Sequence, residues 1–279
     1  MKKKYKKKNV LPGFGLSLGI TMLYMSLIVL IPLSMVFIES SQLGWHDFIK
    51  IVTSDRVFHA YKISFATAFV AALVNAVFGL LIAWVLVRYR FPGKRIIDGF
   101  IDLPFALPTA VAGITLTTLY GKDGWLGQFF SLFHIKIAFT PIGITIALMF
   151  IGLPFVVRMV QPVLENMEKE VEEAAASLGA SKQQIFLKVI FPELLPPVLA
   201  GFSLACARGL GEYGSVVFIA GNMPMKTEIA PFMIMSKLEQ FDYAGATAIA
   251  VVMLVISFVC LIVINLLQKW SRKHEFQSE

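Results

Sequence analysis

The chain has 279 residues, a formal net charge of +7 and a mean hydropathy of +0.74, with 57% hydrophobic and only 15% charged residues. Soluble domains carry about 25% charged and about 45–50% apolar residues, so this surplus exceeds any water-soluble core and points to lipid as the solvent. The basic residues are spread over separate loops rather than gathered on one face, which argues against a nucleic-acid partner.

The chain opens on MKKKYKKK and runs into a first apolar stretch, Leu16–Phe37. That stretch is too long for the apolar region of a cleaved signal peptide, and no small-x-small site follows it at once, so it reads as an uncleaved signal-anchor span. The run Lys2–Lys8 is expected near anionic lipid headgroups. Five further stretches approach the roughly 17–25 residues that cross a bilayer as a helix: Ser64–Val87, Pro104–Tyr120, Pro141–Val157, Val198–Ala220 and Ala244–Leu267. The third and fourth are short and carry Pro104, Pro108, Gly152 and Pro154, breaks that survive where neighbouring helices or a cavity satisfy the freed backbone groups. The expected class is therefore an all-α integral membrane protein with six transmembrane helices.

Between the fourth and fifth stretches lies a polar element, VEEAAASLGASKQQIFLKVIFPELLPP, Val171–Pro197. Glu165–Leu178 is rich in good helix formers. Gly179 suits a left-handed cap, and Ser181 with Gln184 three residues on is a capping-box pattern opening a second helix. Ile185, Phe186, Val189 and Ile190 give that helix an apolar face, and Pro192 is expected to end it. The element reads either as an interfacial helix lying on the membrane or as a docking element for a partner. Glu165, Glu168, Glu170, Glu172 and Glu173, opposed only by Lys169, favour docking because anionic lipid repels them.

Arg208 and Glu212 fall inside the fifth stretch at i, i+4 and are expected on one helix face. Intramembrane charges are expensive and commonly pair, so they read as a mutual salt bridge or as residues beside a solute route or gate. Gly209, Gly211 and Gly214 allow close helix approach. Lys and Arg divide 17 to 7 between alternate loops, which places both termini and the polar element in the cytoplasm. Cys206 and Cys260 lie in apolar segments, and His46, His59, His134 and His274 form no pair, so no metal site is expected. No internal repeat is visible.

There is no G-x4-GK[ST] phosphate loop. The nearest candidate, Gly121-Lys122, has Leu116 where glycine is needed and is followed by Asp123. No GxSxG or HExxH arrangement occurs, and no chain of Asp, Glu and His runs through the spans. Any ATP drive must come from another subunit.

The polar element resembles a known family. Glu173-Ala174-Ala175, Gly179 and Pro192 match the EAA loop of ABC importer permeases, EAA-x3-G-x9-I-x-L-P, with Val189 standing for Ile and Phe191 for Leu. In that family this loop, here 163–192, forms the coupling helix that docks on a cytoplasmic ATPase. DLPFALPTAVAG (Asp102–Gly113), RGLGEYGSVVFIAGN (Arg208–Asn222) and LEQFDYAGATAIA (Leu238–Ala250) resemble T-type subunits of sulfate/thiosulfate permeases, over nearly the whole chain. The resemblance implies a type I importer (MetI-like) core at 61–268, with a tail, first span and external loop at 1–60 and a cytoplasmic tail at 269–279. It also implies a multi-pass cell-membrane transport subunit that is not itself an enzyme and holds no cofactor. Its implied partners are an ATP-binding subunit carrying ATP and Mg, a homologous W-type permease and an extracytoplasmic sulfate-binding protein. Arg208, Gly211, Glu212 and Gly214 are then expected along the translocation path or gate. A molybdate/tungstate permease subunit, a membrane receptor or scaffold using the same loop, and a membrane enzyme are the alternatives.

Overall fold

The computed structural model describes residues 14–275, with side chains through 266, and every regular element among them is helical. The run Lys2–Lys8 lies outside the described residues. In chain order the helices are α1 (Phe14–Ser40), α2 (Trp45–Val52), α3 (Asp55–Arg88), α4 (Lys94–Ile101), α5 (Leu103–Ala106), α6 (Thr109–Tyr120), α7 (Trp125–Ser131), α8 (Pro141–Asn166), α9 (Lys169–Ser177), α10 (Lys182–Leu210), α11 (Gly214–Ala220), α12 (Ala230–Glu239) and α13 (Tyr243–Glu275). α1, α3, α8, α10 and α13 are long and apolar enough to cross a membrane, and α6 is a shorter apolar helix. Each of the six apolar stretches in the sequence therefore carries a helix.

The centre is a three-helix core of α3, α8 and α10. α3 turns Ala60, Ala68, Ala71, Ala72, Gly79 and Ala83 inward, while Leu73, Val77, Phe78, Leu81 and Val85 point outward and are exposed. Small residues inside and large apolar ones outside suit a bundle solvated by lipid, where association comes from close packing rather than water exclusion. The approach is tight: a β-carbon on Gly79 would meet the Val156 side chain at 2.7 Å, and one on Gly201 would meet the Val156 α-carbon at 2.6 Å. Pro154 leaves the Phe150 carbonyl without its helical donor. Beside it, Asn75 Nδ2 donates to the Met149 carbonyl at 3.1 Å, joining α3 to α8 in the same turn.

α1 is peripheral. Among its residues only Ser40 is buried, and its second half packs on α13. At one end of the bundle Arg158 of α8 makes five hydrogen bonds, matching the five N–H groups of a guanidinium. It reaches both Asp102 oxygens (2.9 and 2.6 Å), Asp98 Oδ1 (2.7 Å), the Asp98 carbonyl (2.9 Å) and Gln161 (2.7 Å). These bonds fasten α4 and its junction with α5 to the core. At the other end Arg56 forks onto the buried Glu228 at 2.8 and 2.5 Å, and Ser64 Oγ accepts from the Ala230 N–H at 2.8 Å.

Several boundaries differ from the sequence-based expectation. Pro192 does not end a helix: α10 continues from Lys182 to Leu210 through a π turn, Phe186–Ile190, where the Phe191 N–H bonds to the Phe186 carbonyl. The wider turn directly precedes the proline, and π turns of this kind absorb a local misfit in an otherwise continuous helix. The stretch Val198–Ala220 is not one span, because the chain leaves the helix at Gly211–Tyr213 and restarts as α11. Pro104–Tyr120 is divided at Leu107–Pro108, α8 runs on to Asn166, and Glu165 therefore belongs to α8 rather than to the polar element's first helix.

Candidate functional site: the polar loop and a buried ion pair

The polar element is a helix–bend–helix. α9 ends at Ser177, and the Ala180 N–H bonds to the Ala175 carbonyl (3.1 Å) while the Gly179 N–H bonds to the Ala176 carbonyl (3.0 Å). That pair of bonds is the Schellman closure of a helix end. It needs a left-handed residue, which Gly179 supplies at φ +87°. Nothing lies within 4 Å of where its β-carbon would be, so backbone conformation rather than crowding selects glycine here. Ser181 then closes the capping box: its N–H donates to Gln184 Oε1 (2.8 Å) and its Oγ accepts from the Gln184 N–H (3.3 Å).

This loop projects from the bundle. Glu173, Ala174 and Gly179 are exposed, Ala175 is half-buried, and Leu178 at the tip is 89% exposed. Pro192 sits at the start of the long run that carries the second arm into the core. An exposed leucine flanked by small residues and carboxylates offers a partner both a knob and close backbone approach. The acidic half is not unopposed, because Glu172 pairs with Arg88 at the end of α3. That residue is 84 positions away and invisible to local reading.

Arg208 and Glu212 do pair, Nη1 to Oε2 at 2.6 Å. They do not share a helix face: Arg208 is in the last turn of α10 and Glu212 lies beyond its end. Glu212 Oε1 accepts from the N–H (2.9 Å) and Oγ (3.1 Å) of Ser215, satisfying the start of α11. The carboxylate is 3% exposed and the guanidinium 38%, so the acid is locked inside while the arginine faces outward from the chain. Glu212 borders a narrow seam with Ser64 and Thr67 of α3 and Ile144 and Leu148 of α8. Those residues lie near the starts of their helices, so the pair sits in the half of the bundle away from the polar loop.

A β-carbon on Gly214 would lie 2.2 Å from Thr109 Oγ1, so any larger residue there would force the Thr109 side chain to turn away. Gly211 faces open space. Sequence reading gave no role to Gly113, whose β-carbon would lie 2.4 Å from the Ser215 carbonyl oxygen. Its only signal was a glycine inside a short apolar stretch opposite the glycine-rich segment. Among the described residues no cluster of His, Cys, Asp or Glu could hold a metal.

Residues 75–275 match the family model described as binding-protein-dependent transport system inner membrane component. The chain is 51% identical over 261 residues, 94% of each chain, to the sulfate transport system permease protein CysT of Salmonella typhimurium. It is 51% identical to the protein of that name from Synechocystis sp., covering 91% of this chain and 89% of the relative. A probable sulfate transport system permease protein of Marchantia polymorpha is 46% identical, covering 95% and 92%. Among solved structures, a bacterial alginate ABC transporter in complex with an alginate-bound periplasmic protein matches at TM-score 0.73 and 15% identity, covering 90% of this chain and 92% of that one. The inward-facing methionine transporter MetNI matches at TM-score 0.60 and 16% identity, covering 77% and 96%. At such identities the two structures speak for the fold alone.

Proposed function

The chain belongs to the family of binding-protein-dependent transport system inner membrane components, and from that membership we propose that it is the membrane-spanning permease subunit of an ATP-driven importer of sulfate, and of thiosulfate with it. The observation that carries the substrate is 51% identity to a sulfate permease across 94% of both chains. The curated relatives described above give the molybdate alternative no support.

A separate ATP-binding subunit, holding ATP and magnesium, docks on the loop that presents Glu173, Ala174, Ala175 and Gly179, with Pro192 leading into α10. A homologous W-type permease stands beside this chain. A sulfate-binding protein delivers the anion at the opposite face, and both termini lie in the cytoplasm, as the Lys/Arg distribution supports. Because Gly179 sets the bend and α10 is continuous from Lys182 to Leu210, displacement of the loop is carried along one continuous helix to the far half of the bundle. At its end stand Arg208, Gly211, Glu212 and Gly214, which we assign to the gate. Glu212 offsets the Arg208 charge, so a passing dianion meets a guanidinium that does not hold it tightly. The loop drives this movement only if the ATP-binding subunit contacts it differently in its two states.

The test is uptake of radiolabelled sulfate by the whole transporter in a strain lacking its own sulfate uptake. Sulfate accumulates, and excess thiosulfate but not molybdate competes. An intact complex in the membrane that takes up no sulfate, or one inhibited equally by molybdate, overturns the reading.

A further inference from the structure

α3 ends on Arg88, and that one side chain reaches three groups. Its guanidinium carbon lies 5.2 Å from the ring centroid of Trp84, one turn back, within cation–π range. Nη2 donates to Glu172 of α9 and approaches the Met167 sulfur at 3.5 Å. Trp84 in turn meets Phe186 edge-on, with centroids 5.5 Å apart, and Phe186 opens the π turn of α10. A single turn of α3 therefore holds both arms of the coupling loop, one on each side of the Gly179 bend.

The character of the contact separates it from a passive staple. Arg88 and Glu172 are 16% and 24% exposed, so water and salt screen them less than an ordinary surface pair. Arg88 Nε is buried with no acceptor. The guanidinium holds Glu172 through Nη2 alone and keeps a further donor, unlike Arg158, which uses its whole fork. A shift of α9 can therefore exchange one hydrogen-bonding geometry for another without releasing the charge. Switching elements in proteins commonly have two such discrete arrangements.

We propose that Arg88 is a positioning residue for transport, the joint through which displacement of the coupling loop is passed directly to span α3. It acts in parallel with the covalent route along α10. Loop motion then reaches two of the three core helices together instead of bending α10 against a stationary α3. The proposal rests on the permease reading above and adds to it which residue of this chain couples ATP hydrolysis to movement of a span.

The experiment uses the complete transporter with its ATP-binding subunit and binding protein in vesicles, comparing wild type with Arg88→Gln, Arg88→Lys and the exchange R88E/E172R. Sulfate uptake, ATP hydrolysis, co-purification of the ATP-binding subunit and thermal stability are measured together. For Arg88→Gln, assembly and hydrolysis persist and the ATP spent per sulfate rises on the order of tenfold, the size of effect expected when one coupling contact is cut. Arg88→Lys falls between, because it keeps the charge and loses the planar fork. The exchange recovers a substantial part of the wild-type ratio. An unchanged ratio in Arg88→Gln overturns the proposal, as does uptake that falls in step with hydrolysis or stability. If the wild-type complex itself moves no sulfate, it is the permease reading that has failed.

Discussion

Gly113 and Ser215 meet backbone to backbone: a β-carbon on Gly113 would lie 2.4 Å from the Ser215 carbonyl oxygen and 2.8 Å from its α-carbon. With Gly214 against Thr109, this contact sets how closely α6 approaches the start of α11, where Glu212 is held. Neither backbone atom can rotate away as a side chain would. Gly113→Ala is expected to destabilise the bundle by about 1–3 kcal/mol, the usual range for overpacking, and to reduce uptake. Gly211→Ala, which adds its methyl to open space, should leave the unfolding temperature unchanged. Thermal unfolding of the purified complex checks both variants.

Gly179→Val isolates the bend. A β-branched residue forced to φ +87° carries about 1–2 kcal/mol of strain, and the loop escapes it by changing direction. Insertion and the fold of the spans persist while uptake is lost and hydrolysis is not. Gly179→Asn, which tolerates the left-handed region better, retains part of the uptake. Wild-type uptake in Gly179→Val would remove the bend from the mechanism.

Glu212 and Arg208 give an asymmetric pair of outcomes. Glu212→Ala strips Arg208 of its counter-charge and Ser215 of its acceptor. The destabilisation falls below the roughly 3–5 kcal/mol of a fully buried broken pair, because Arg208 is more than a third exposed. Arg208→Ala leaves a carboxylate that is 3% exposed without its cation, and Glu212→Gln in the same background relieves it. Arg208→Ala abolishes uptake while the complex still assembles. Uptake at the normal rate in Arg208→Ala would rule the pair out as a gate.

Asp102 is held below the ordinary carboxylate range, first by its hydrogen bonds from Arg158, with burial opposing and the Arg158 charge adding to the effect. A depressed native value means the ionised form is favoured by folding. Its stabilisation is present above the unfolded value, about 4, and disappears as pH falls through the native one. The unfolding temperature of the complex should therefore drop on acidification below about pH 4. Asp102→Asn should flatten that drop while lowering the plateau above it.

The features legible in the sequence are those whose physics is local or compositional. Lipid as the solvent follows from the apolar surplus, and the Gly179 cap and the Ser181–Gln184 box follow from residues within a single turn. The pairing of Arg208 with Glu212 was legible because two charges four positions apart in an apolar stretch have few other partners. The helix face expected to hold both of them does not form, because α10 ends at Leu210 and the chain leaves the helix before Glu212.

What only the tertiary structure decided are the features whose energy comes from distant chain. Pro192, which alone predicts a helix end, is carried through because a π turn precedes it and the α10 face is buried against α3 and α8. Arg88 finds Glu172, Arg158 finds Asp98 and Asp102, and Gly113 finds Ser215, each across a length of chain that no local pattern bridges. In lipid the outward faces of the helices are all equally apolar. Hydrophobic pattern therefore says which segments enter the membrane, while small-residue contacts and long-range ion pairs decide which helices touch and where each one stops.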